Sequence, residues 1–471
     1  MKTINYFAAG CLFASILTFL SGQFVFGQSL NTVRLRGELY SDQRALMQDK
    51  PEWVWNENRL DLRLESVTDR VKVYGNVWVR YLGQTALHGS GQLQHKEKIN
   101  PWNLDIREAY VEVSRFIFDR LDLKVGRQRI AWGTADRFNP TDNLNPYDLE
   151  DLFDFGRYNG SDAINLLWHF GHSSSLQAVY MPFFRPANLP VGYFADLFHP
   201  AVSLPEYLTL NAISDQLLMP PSTLYEQASG GARFRGFAFN TDFSFSYLYG
   251  RDVLPMATLA RITPVDNIAG TSCSMTSAID VYAELVYPRH HIWGMDLAGA
   301  IGPVGVWAEA AMILPEKAVL LVTDLSALMP PESPLPGTLT TTQLRKQAYV
   351  KYVVGADYTF RNGTYLNMQY LHGFFHEKGR ENLNDYLLMG LEKSLWQNKL
   401  LIRPLAGGVS VTDWKDMGNN YAIFFTPEVS YTGIDNLSVK LGAFLFSGKG
   451  DELFARLHGN NLISLQVIAY F

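Results

Sequence analysis

Acidic and amide side chains are concentrated in one stretch of the chain that is also rich in Asn-Pro. Carboxylate and amide oxygens are the ligands that Ca²⁺ prefers, so a calcium site is one chemistry that this stretch offers. The spacing is not that of an EF-hand loop, however, and Asn or Asp beside proline more often forms a turn. We therefore predict turns and no bound metal for Asp136, Asn139, Asp142, Asn143, Asn145 and Asp148.

Two histidine pairs, His290 with His291 and His372 with His376, are the candidates for acid–base catalysis. Neither pair has a Gly-x-Ser-x-Gly elbow or a His-Glu-x-x-His helix nearby, and the sequence contains no Walker loop and no Gly-x-Gly-x-x-Gly loop. The sequence therefore predicts neither an enzyme nor a cofactor.

The acidic stretch follows a segment that has the pattern of a β-strand. Apolar and polar residues alternate from Leu121 to Gly126, and the same alternation covers residues 33–40, 60–65 and 71–80. In each segment the charged residues share one face. That face is the outside of a soluble sandwich but the water-filled inside of a membrane barrel, so alternation alone does not decide between the two folds.

The N-terminus has the pattern of a secretory signal peptide. Lys2 precedes an apolar run over residues 6–20, and Gly27 provides a small residue for cleavage. We predict a signal peptide over residues 1–27 and a single barrel domain over residues 28–471.

Cysteine content and net charge exclude further classes. Removal of the signal peptide takes away Cys11 and leaves Cys273 alone, so neither a disulfide nor a cysteine metal site is expected. Cleavage at a lipoprotein box around Cys11 is the alternative, but it would leave an apolar stub over residues 12–20. The formal net charge of -6 argues against nucleic acid as a partner.

Connections between the strand segments alternate between short and long. Short periplasmic turns and long extracellular loops are typical of outer-membrane barrels. We predict an all-β fold, a single antiparallel transmembrane barrel of about 16–18 strands, because bacterial barrels have an even strand number. Residues 462–471 alternate and end in an aromatic residue, which resembles the C-terminal signal of such barrels. The predicted short turns are 66–70, 116–121, 170–174, 238–241, 300–303, 360–363, 396–399 and 432–436, and the longest predicted loops are 185–226, 251–289 and 315–346.

Charged residues on the inner face of the first five strands are predicted to line the pore. Because both signs are mixed there, one interpretation is that they neutralise one another and stiffen the wall. The other is that a basic excess gives anion selectivity. Arg107 and Glu112 differ in parity, so a β-bulge must separate them if both face inward. The predicted pore-lining residues are Arg34, Arg36, Glu38, Asp61, Arg63, Glu65, Lys72, Arg80, Asp105, Arg107, Glu112, Asp122 and Lys124.

Two long loops contain a Leu-Met-Pro-Pro segment, each after a predicted short helix over residues 205–218 and 317–328. Proline cannot continue a helix, so each helix would end there. Such apolar loops do not stand free in water. They either pack over neighbouring loops at the rim or fold into the mouth as a constriction or vestibule. The residues predicted to form the constriction or vestibule are Phe194, Phe198, Leu217, Leu218, Met219, Leu328 and Met329.

The segment Gly126-Arg127-Gln128 with Trp132-Gly133, followed by Asn145-Pro146-x-Asp148, resembles an uncharacterised family of Gram-negative outer-membrane barrels. The hairpin over residues 294–311 is similar to a later strand pair of the same family. In general plan the family resembles porins of the alginate-export type. The resemblance implies an outer-membrane channel, linked in some members to lipid-like molecules, and supplies no substrate.

The sequence thus predicts a channel in the outer membrane of a Gram-negative bacterium. A barrel of this size leaves an aqueous lumen unless loops fill it. A small hydrophobic or amphipathic solute is slightly favoured, because a pore for sugars needs no apolar vestibule. The alternative is a structural or assembly barrel that acts as a receptor or anchor without transport. Outer-membrane lipid, the solute and the barrel-assembly machinery are the expected partners.

Overall fold

A closed antiparallel barrel forms most of the chain. The computed structural model describes residues 32–83, 90–171, 173–198, 208–265, 277–329 and 336–471, so the predicted signal peptide lies outside the described residues. One large sheet closes on itself through the pairing of its first and last strands. The barrel has 18 strands, which confirms the predicted all-β fold and the even strand number.

The strands of the barrel wall are β1 (Thr32–Leu46), β2 (Trp53–Val67), β3 (Val71–Leu82), β4 (Trp102–Val113), β5 (Leu121–Gln128), β6 (Ser161–Phe170), β7 (Ser174–Met181), β9 (Ser229–Ala238), β10 (Thr241–Arg251), β13 (Arg289–Ile301), β14 (Val304–Pro315), β17 (Tyr349–Thr359), β18 (Thr364–His372), β19 (Asp385–Leu395), β20 (Leu400–Val411), β21 (Tyr421–Phe425), β22 (Glu428–Ile434), β23 (Leu437–Lys449) and β24 (Leu462–Tyr470). β21 and β22 both lie between β20 and β23 and form one interrupted position in the wall. Pro427 stands between them and has no N–H to donate to the ladder, which explains the interruption.

The connections of the barrel follow the predicted alternation. All the predicted short turns join neighbouring wall strands, and the intervening connections are generally longer. In the turn between β9 and β10, Phe239 and Asn240 have φ of 53° and 58°. Two consecutive positive φ values are typical of the tight hairpin turns whose twist matches that of the strands. By their length, the short turns face the periplasm and the long loops face outward.

The distribution of apolar residues is that of a membrane barrel. Leu35, Val73, Leu441 and Leu465 point outward and are 59%, 46%, 53% and 46% exposed. Charged residues such as Arg44 point inward and are buried. A sheet can span lipid only when it is closed, because an open edge would leave backbone groups without hydrogen bonds in hydrocarbon.

The three longest loops carry a second, five-stranded sheet, which the sequence did not predict. It contains β8 (Leu208–Leu218), β11 (Met256–Pro264), β12 (Ser277–Val286), β15 (Val319–Asp324) and β16 (Thr338–Leu344), in the order β16-β15-β11-β12-β8. The helices predicted over residues 205–218 and 317–328 are therefore wrong: the described part of each is mainly a strand. We call this the outer sheet.

Helices are short. The 3-10 helices are Ser90–Gln94, Gly192–Phe198, Ser326–Leu328, Arg380–Asn382 and Ala455–Leu457, and the α-helical turns are Lys96–Ile99 and Leu224–Gln227. Within the described ranges, no helix has the length and apolar character needed to cross a bilayer.

Candidate functional site

The connection between β5 and β6 does not stay at the rim but enters the barrel. This connection, residues 129–160, contacts β1, β4, β7, β14 and the loops after β18 and β23. We call it the luminal segment. It contains most of the Asn-Pro and Asp residues that the sequence singled out.

The first anchor of the luminal segment is a buried carboxylate on the wall. Glu309 of β14 is 2% exposed, and its two oxygens accept hydrogen bonds from the backbone N–H groups of Thr134, Ala135 and Thr141 at 3.0, 3.1 and 2.7 Å. The Thr141 hydroxyl donates a further bond at 2.8 Å. A Cβ on Gly133, whose φ is 94°, would lie 2.5 Å from the same carboxylate. Glycine is therefore required where the segment passes Glu309.

The second anchor is a row of arginine–carboxylate pairs. Arg107 donates to Asp148 at 2.7 Å, and Arg44 donates to both oxygens of Asp151 at 2.7 and 2.5 Å. Arg80 forms a short contact with Glu150, which lies between them. Since each arginine belongs to a different wall strand, residues 148–151 are tied to three strands at once. Buried, bidentate pairs of this kind fix position strongly.

The electrostatics of Asp148 show how this anchor works. Burial alone would raise the pKa of the Asp148 carboxyl, but the guanidinium groups of Arg157 and Arg107 lower it below its ordinary value. Arg157 Nε lies 2.9 Å from the same carboxylate. Asp148 therefore stays ionised in the lumen and keeps both pairs.

Two of the residues considered for calcium, Asp142 and Asn145, form hydrogen bonds with neighbouring protein groups. Arg129 pairs with the Asp142 carboxylate and donates to Asn145 Oδ1 at 2.7 Å. Asn145 Oδ1 also accepts the Ile130 N–H at 2.9 Å. In the described residues no group of three or more His, Cys, Asp or Glu side chains is arranged to hold a metal ion.

An aromatic cluster lies at the end of the lumen nearest the long loops. Phe153 of the luminal segment lies 5.0 Å from Phe194 and 4.9 Å from Phe444, measured between ring centroids. Phe454, in the loop after β23, stacks on Phe424 at 4.2 Å. These rings belong to one buried apolar cluster that joins the luminal segment to the wall and to three loops.

A cavity of about 440 Å³ remains between the luminal segment and the wall formed by β1, β2 and β18–β24. Its aromatic end is nearest the long loops, and its charged end is nearest the short turns. At the charged end Arg403 pairs with Glu392 at 2.9 Å and with Glu428 at 3.3 Å, and Lys440 lies 3.8 Å from Glu428. We call this space the luminal cavity.

The predicted pore-lining residues share the inner face, where most of them form ion pairs. Lys72 lies 3.1 Å from Glu65, Lys124 lies 3.3 Å from Glu112, and Arg63 lies 2.7 Å from Asp61. Further pairs join Arg63 to Glu38 at 3.6 Å, His169 to Asp122 at 3.3 Å and Arg107 to Asp105 at 3.0 Å. Arg34 and Arg36 are exposed near the periplasmic end, whereas Arg80 and Arg107 are buried against the luminal segment.

A register shift in the β3–β4 ladder explains the parity of Arg107. Asn76 faces Glu108 and the next residue, Val77, faces Ile106, so Arg107 is the extra residue of a bulge. Its guanidinium lies 4.1 Å from the centre of the Trp78 ring. The bulge turns Arg107 inward, where it reaches Asp148.

The residues considered for a vestibule are not brought together into one patch. Phe194 packs on Phe153 in the aromatic cluster, while Leu217 and Leu218 pair with β12 in the outer sheet and are exposed, as is Met219. Leu328 ends a 3-10 helix that packs on β11, and Met329 follows it. Phe198 ends the helix Gly192–Phe198, and its side chain lies outside the described part of the structure.

The luminal segment is the part of the site that sequence reasoning missed. A signal for it is present in the sequence: a long loop has acidic residues at 148, 150 and 151, and arginines are predicted to face inward at 80 and 107. Charges buried in a lumen need partners, and a loop rich in the opposite charge is a candidate to supply them.

The closed wall, the apolar exterior and the inserted segment define an outer-membrane β-barrel with a narrowed lumen, which lies in the outer membrane of a Gram-negative bacterium. The chain belongs to the family described as protein of unknown function, DUF1302, whose model matches residues 22–384. The predicted membership of an uncharacterised barrel family is thus confirmed. The similarity to alginate-export porins stays a prediction.

No curated protein matches the chain. Similar solved structures include OccAB4 of Acinetobacter baumannii, with a TM-score of 0.47 and 8% identity over 94% of this chain and 98% of that chain. OmpF of Salmonella typhi in complex with daunomycin has a TM-score of 0.40 and 9% identity over 94% and 98%. In-vitro folded OmpT of Vibrio cholerae has 0.39 and 12% over 95% and 100%. The function proposed below rests on the geometry of this chain.

Proposed function

We propose that the protein is an outer-membrane channel for small amphipathic solutes, which pass between the luminal segment and the β18–β24 wall. The observation that supports this most directly is the luminal cavity, about 440 Å³ in volume. That volume is within the range of small-molecule sites. The same segment that narrows the lumen leaves this space open on one side.

The two ends of the luminal cavity favour an amphipathic solute over a purely polar one. Its outer end is lined by aromatic rings, among them Phe424, Phe446 and Phe454, and its periplasmic end by Arg403 and Lys440 with their acidic partners. Aromatic rings favour the apolar part of a solute, and paired arginine and lysine give orientation to a carboxylate or phosphate. A sugar would use the charged end but would gain little from the aromatic end.

Two aromatic rings stack at the outer end of the luminal cavity. Phe454 and Phe424 are buried, and their ring centroids lie 4.2 Å apart. In this proposal they form the constriction of the path. Passage therefore requires these rings to part. From the sequence we assigned the preference for a hydrophobic or amphipathic solute to the two Leu-Met-Pro-Pro loops. In this proposal that preference comes from the lining of the lumen.

The test is current recording from the purified protein in planar bilayers with two anions of similar size, phenylbutyrate and gluconate. We expect phenylbutyrate to interrupt the ion current more often than gluconate. Phe454→Ala should raise the conductance and weaken the phenylbutyrate block. The matched control is Phe245→Ala, which removes an aromatic ring from the lipid-facing side of β10, where it is 49% exposed. Absence of any ion current, or equal block by both anions in every variant, would contradict the proposal.

A further inference from the structure

The barrel wall is low on one side. β4 pairs with β3 over eleven positions from Tyr81 to Val71, but with β5 only at residues 109–113. β5 ends at Gln128, where the chain turns into the lumen as the luminal segment. In the described part of the chain no strand pairs with residues 102–108 of β4 on the β5 side. The upper half of β4 is therefore a strand edge next to a gap in the wall.

A cavity of about 390 Å³ occupies this gap. It is lined from the lipid-facing side by Leu104 and Ile106, which are 54% and 41% exposed. It is lined from the luminal side by Arg80, Asp105 and Glu150. Residues from both faces of the barrel wall thus border one cavity. We call it the lateral cavity.

Two arginines on the lipid-facing side, Arg127 and Arg185, also line the lateral cavity. Arg127 of β5 has the parity of Leu121, Leu123 and Val125, and it pairs with Asp162 of β6 at 3.2 Å. Arg185, from the chain after β7, also binds Asp162, with Nε at 2.7 Å from Oδ2. Arg127 Nη1 donates to the Ile106 carbonyl at 3.1 Å. An open strand edge is not tolerated in hydrocarbon, because its backbone groups would lack hydrogen bonds. Where the neighbouring strand is missing, Arg127 supplies a hydrogen bond to the backbone of β4.

Residues 148–151 separate the lateral cavity from the luminal cavity. Glu150 lines the first, Asp151 lines the second, and Arg80 and Arg44 hold them from the two sides. Consecutive residues of the luminal segment therefore line the two cavities. A movement of this part of the luminal segment would join them.

We propose that the lateral cavity is a portal through which amphiphiles with an anionic head group move between the lumen and the outer leaflet. This inference rests on the proposed channel function, since it needs solute in the lumen. The lining contains Arg80, Arg127 and Arg185, whose planar, multidentate donors suit carboxylate or phosphate oxygens. Leu104 and Ile106 offer an apolar surface that is continuous with the lipid for the tail. The polar head thus has a charged path where the rest of the outer wall is apolar.

The portal is tested by blocking it from the membrane side. In a Cys273→Ala background, Leu104→Cys is labelled with a bulky maleimide in detergent before reconstitution into vesicles. The matched control is Val111→Cys. Val111 also points outward from β4, but it lies in the part of the strand that pairs with β5. The two readouts are ion conductance and transfer of a dansyl-labelled fatty acid from the vesicle interior into the bilayer.

We expect labelled Leu104→Cys to lose fatty-acid transfer and to keep its conductance, while labelled Val111→Cys keeps both. Transfer that continues in labelled Leu104→Cys overturns the portal and leaves the channel standing. Loss of both activities from the unlabelled protein overturns the channel and the portal together. If Leu104→Cys does not fold, Pro186→Cys, which lines the same cavity from the opposite side, replaces it. Photo-crosslinking gives a readout independent of transport: a photoreactive fatty acid should label the 102–107 region, and Arg127→Ala with Arg185→Ala should reduce the labelling.

Discussion

Glu309 is a buried carboxylate that binds the luminal segment at three backbone N–H groups, and we expect its removal to have a large effect. Glu309→Ala removes the acceptor for the N–H groups of Thr134, Ala135 and Thr141. Hydrogen bonds to charged groups contribute about 1.5–3 kcal/mol each, and the groups left behind are buried without that acceptor. We expect a lower unfolding temperature and a larger conductance, because the segment is freed at one end. Heat-dependent gel migration and planar-bilayer recording measure the two effects.

The control for Glu309 is Glu112→Ala, which removes an inner-wall carboxylate that pairs with Lys124 across the lumen side of β4 and β5. It does not touch the luminal segment, and both partners are partly exposed. Such pairs contribute little, roughly 0–1 kcal/mol. If Glu112→Ala widens the channel as much as Glu309→Ala, the anchor assigned to Glu309 is wrong.

We expect the charge of the periplasmic entrance to depend on Arg34 and Arg36. Glu65 faces Arg34 in the β1–β2 ladder but binds Lys72 at 3.1 Å, which leaves basic charge in excess near the entrance. We expect Arg34→Ala with Arg36→Ala to shift the reversal potential in a salt gradient toward cation selectivity. The double replacement by lysine should preserve the wild-type value. An unchanged reversal potential in the alanine variant would mean that the wall charges only neutralise one another.

At the scale of the element, the loop after β23 is expected to respond to pH through Glu452. This side chain is 6% exposed and accepts the N–H groups of Phe454 and Ala455 at 2.9 and 3.2 Å. Burial raises the pKa of Glu452 to about 7, although those two hydrogen bonds oppose the shift. The folded protein therefore binds this proton more tightly than the unfolded chain, whose pKa is 4.5. Stability from this group is complete below pH 4.5 and is lost as the pH rises through 7.

The unfolding temperature should accordingly decrease as the pH is raised from 5 to 8. Each unit of pKa difference between the folded and unfolded states corresponds to about 1.4 kcal/mol of unfolding free energy. Glu452→Gln keeps the shape of the side chain and removes the titration, so its pH dependence should be flatter than that of the wild type. The comparison isolates Glu452 because every other group titrates in both proteins. Equal slopes in the two proteins would exclude the assigned role.

The wall strands could be predicted from the sequence, whereas the strands of the outer sheet could not, and the reason is physical. The wall strands bury one face and expose the other to lipid, so their period-two pattern is clear and their turns were predictable. β8 instead contains a register shift between the Leu210 and Ala212 pairings, which moves its apolar residues out of alternation and imitates helical spacing. β15 begins with a run of four apolar residues, Val319 to Val322, which fits a strand or a helix equally.

The entry of the luminal segment into the lumen was beyond the reach of local patterns. Its partners are distant in the chain, with separations of 107 residues for Arg44 and Asp151 and 168 for Thr141 and Glu309. Alternation assigns Arg44 and Glu309 to the inner face but does not say which loop will meet them. Only the closed barrel brings these strands around a common space.

For the whole molecule, closure of the barrel depends on the contact between Gly37 and Phe471. The two residues exchange backbone hydrogen bonds at 2.9 and 3.0 Å, and a Cβ on Gly37 would lie 2.2 Å from the Phe471 ring. Gly37→Val should displace the ring and destabilise the seam by about 1–3 kcal/mol. We expect less of the heat-resistant, compact form on unheated gels. Gly75→Val is the control, because nothing lies within 4 Å of its Cβ position on β3; equal loss in both variants would contradict the role of this contact.

The pairing of β1 with β24 also determines the order of events during folding. This seam joins residues that are distant in the chain, for example Asp42 and Gln466, which are 424 positions apart, so its formation carries a loop-closure entropy and is slow. Until the seam forms, the nascent sheet has two free edges that invite pairing with other chains. The ring of Phe444 on β23 meets Arg44 of β1 and Phe153 of the luminal segment once that step has brought the two ends of the sheet together. In a newly inserted barrel we therefore expect the wall to close first and the luminal segment to occupy the lumen afterwards. Vesicles sampled during refolding should show a large early leak of solute that decreases as the lumen fills.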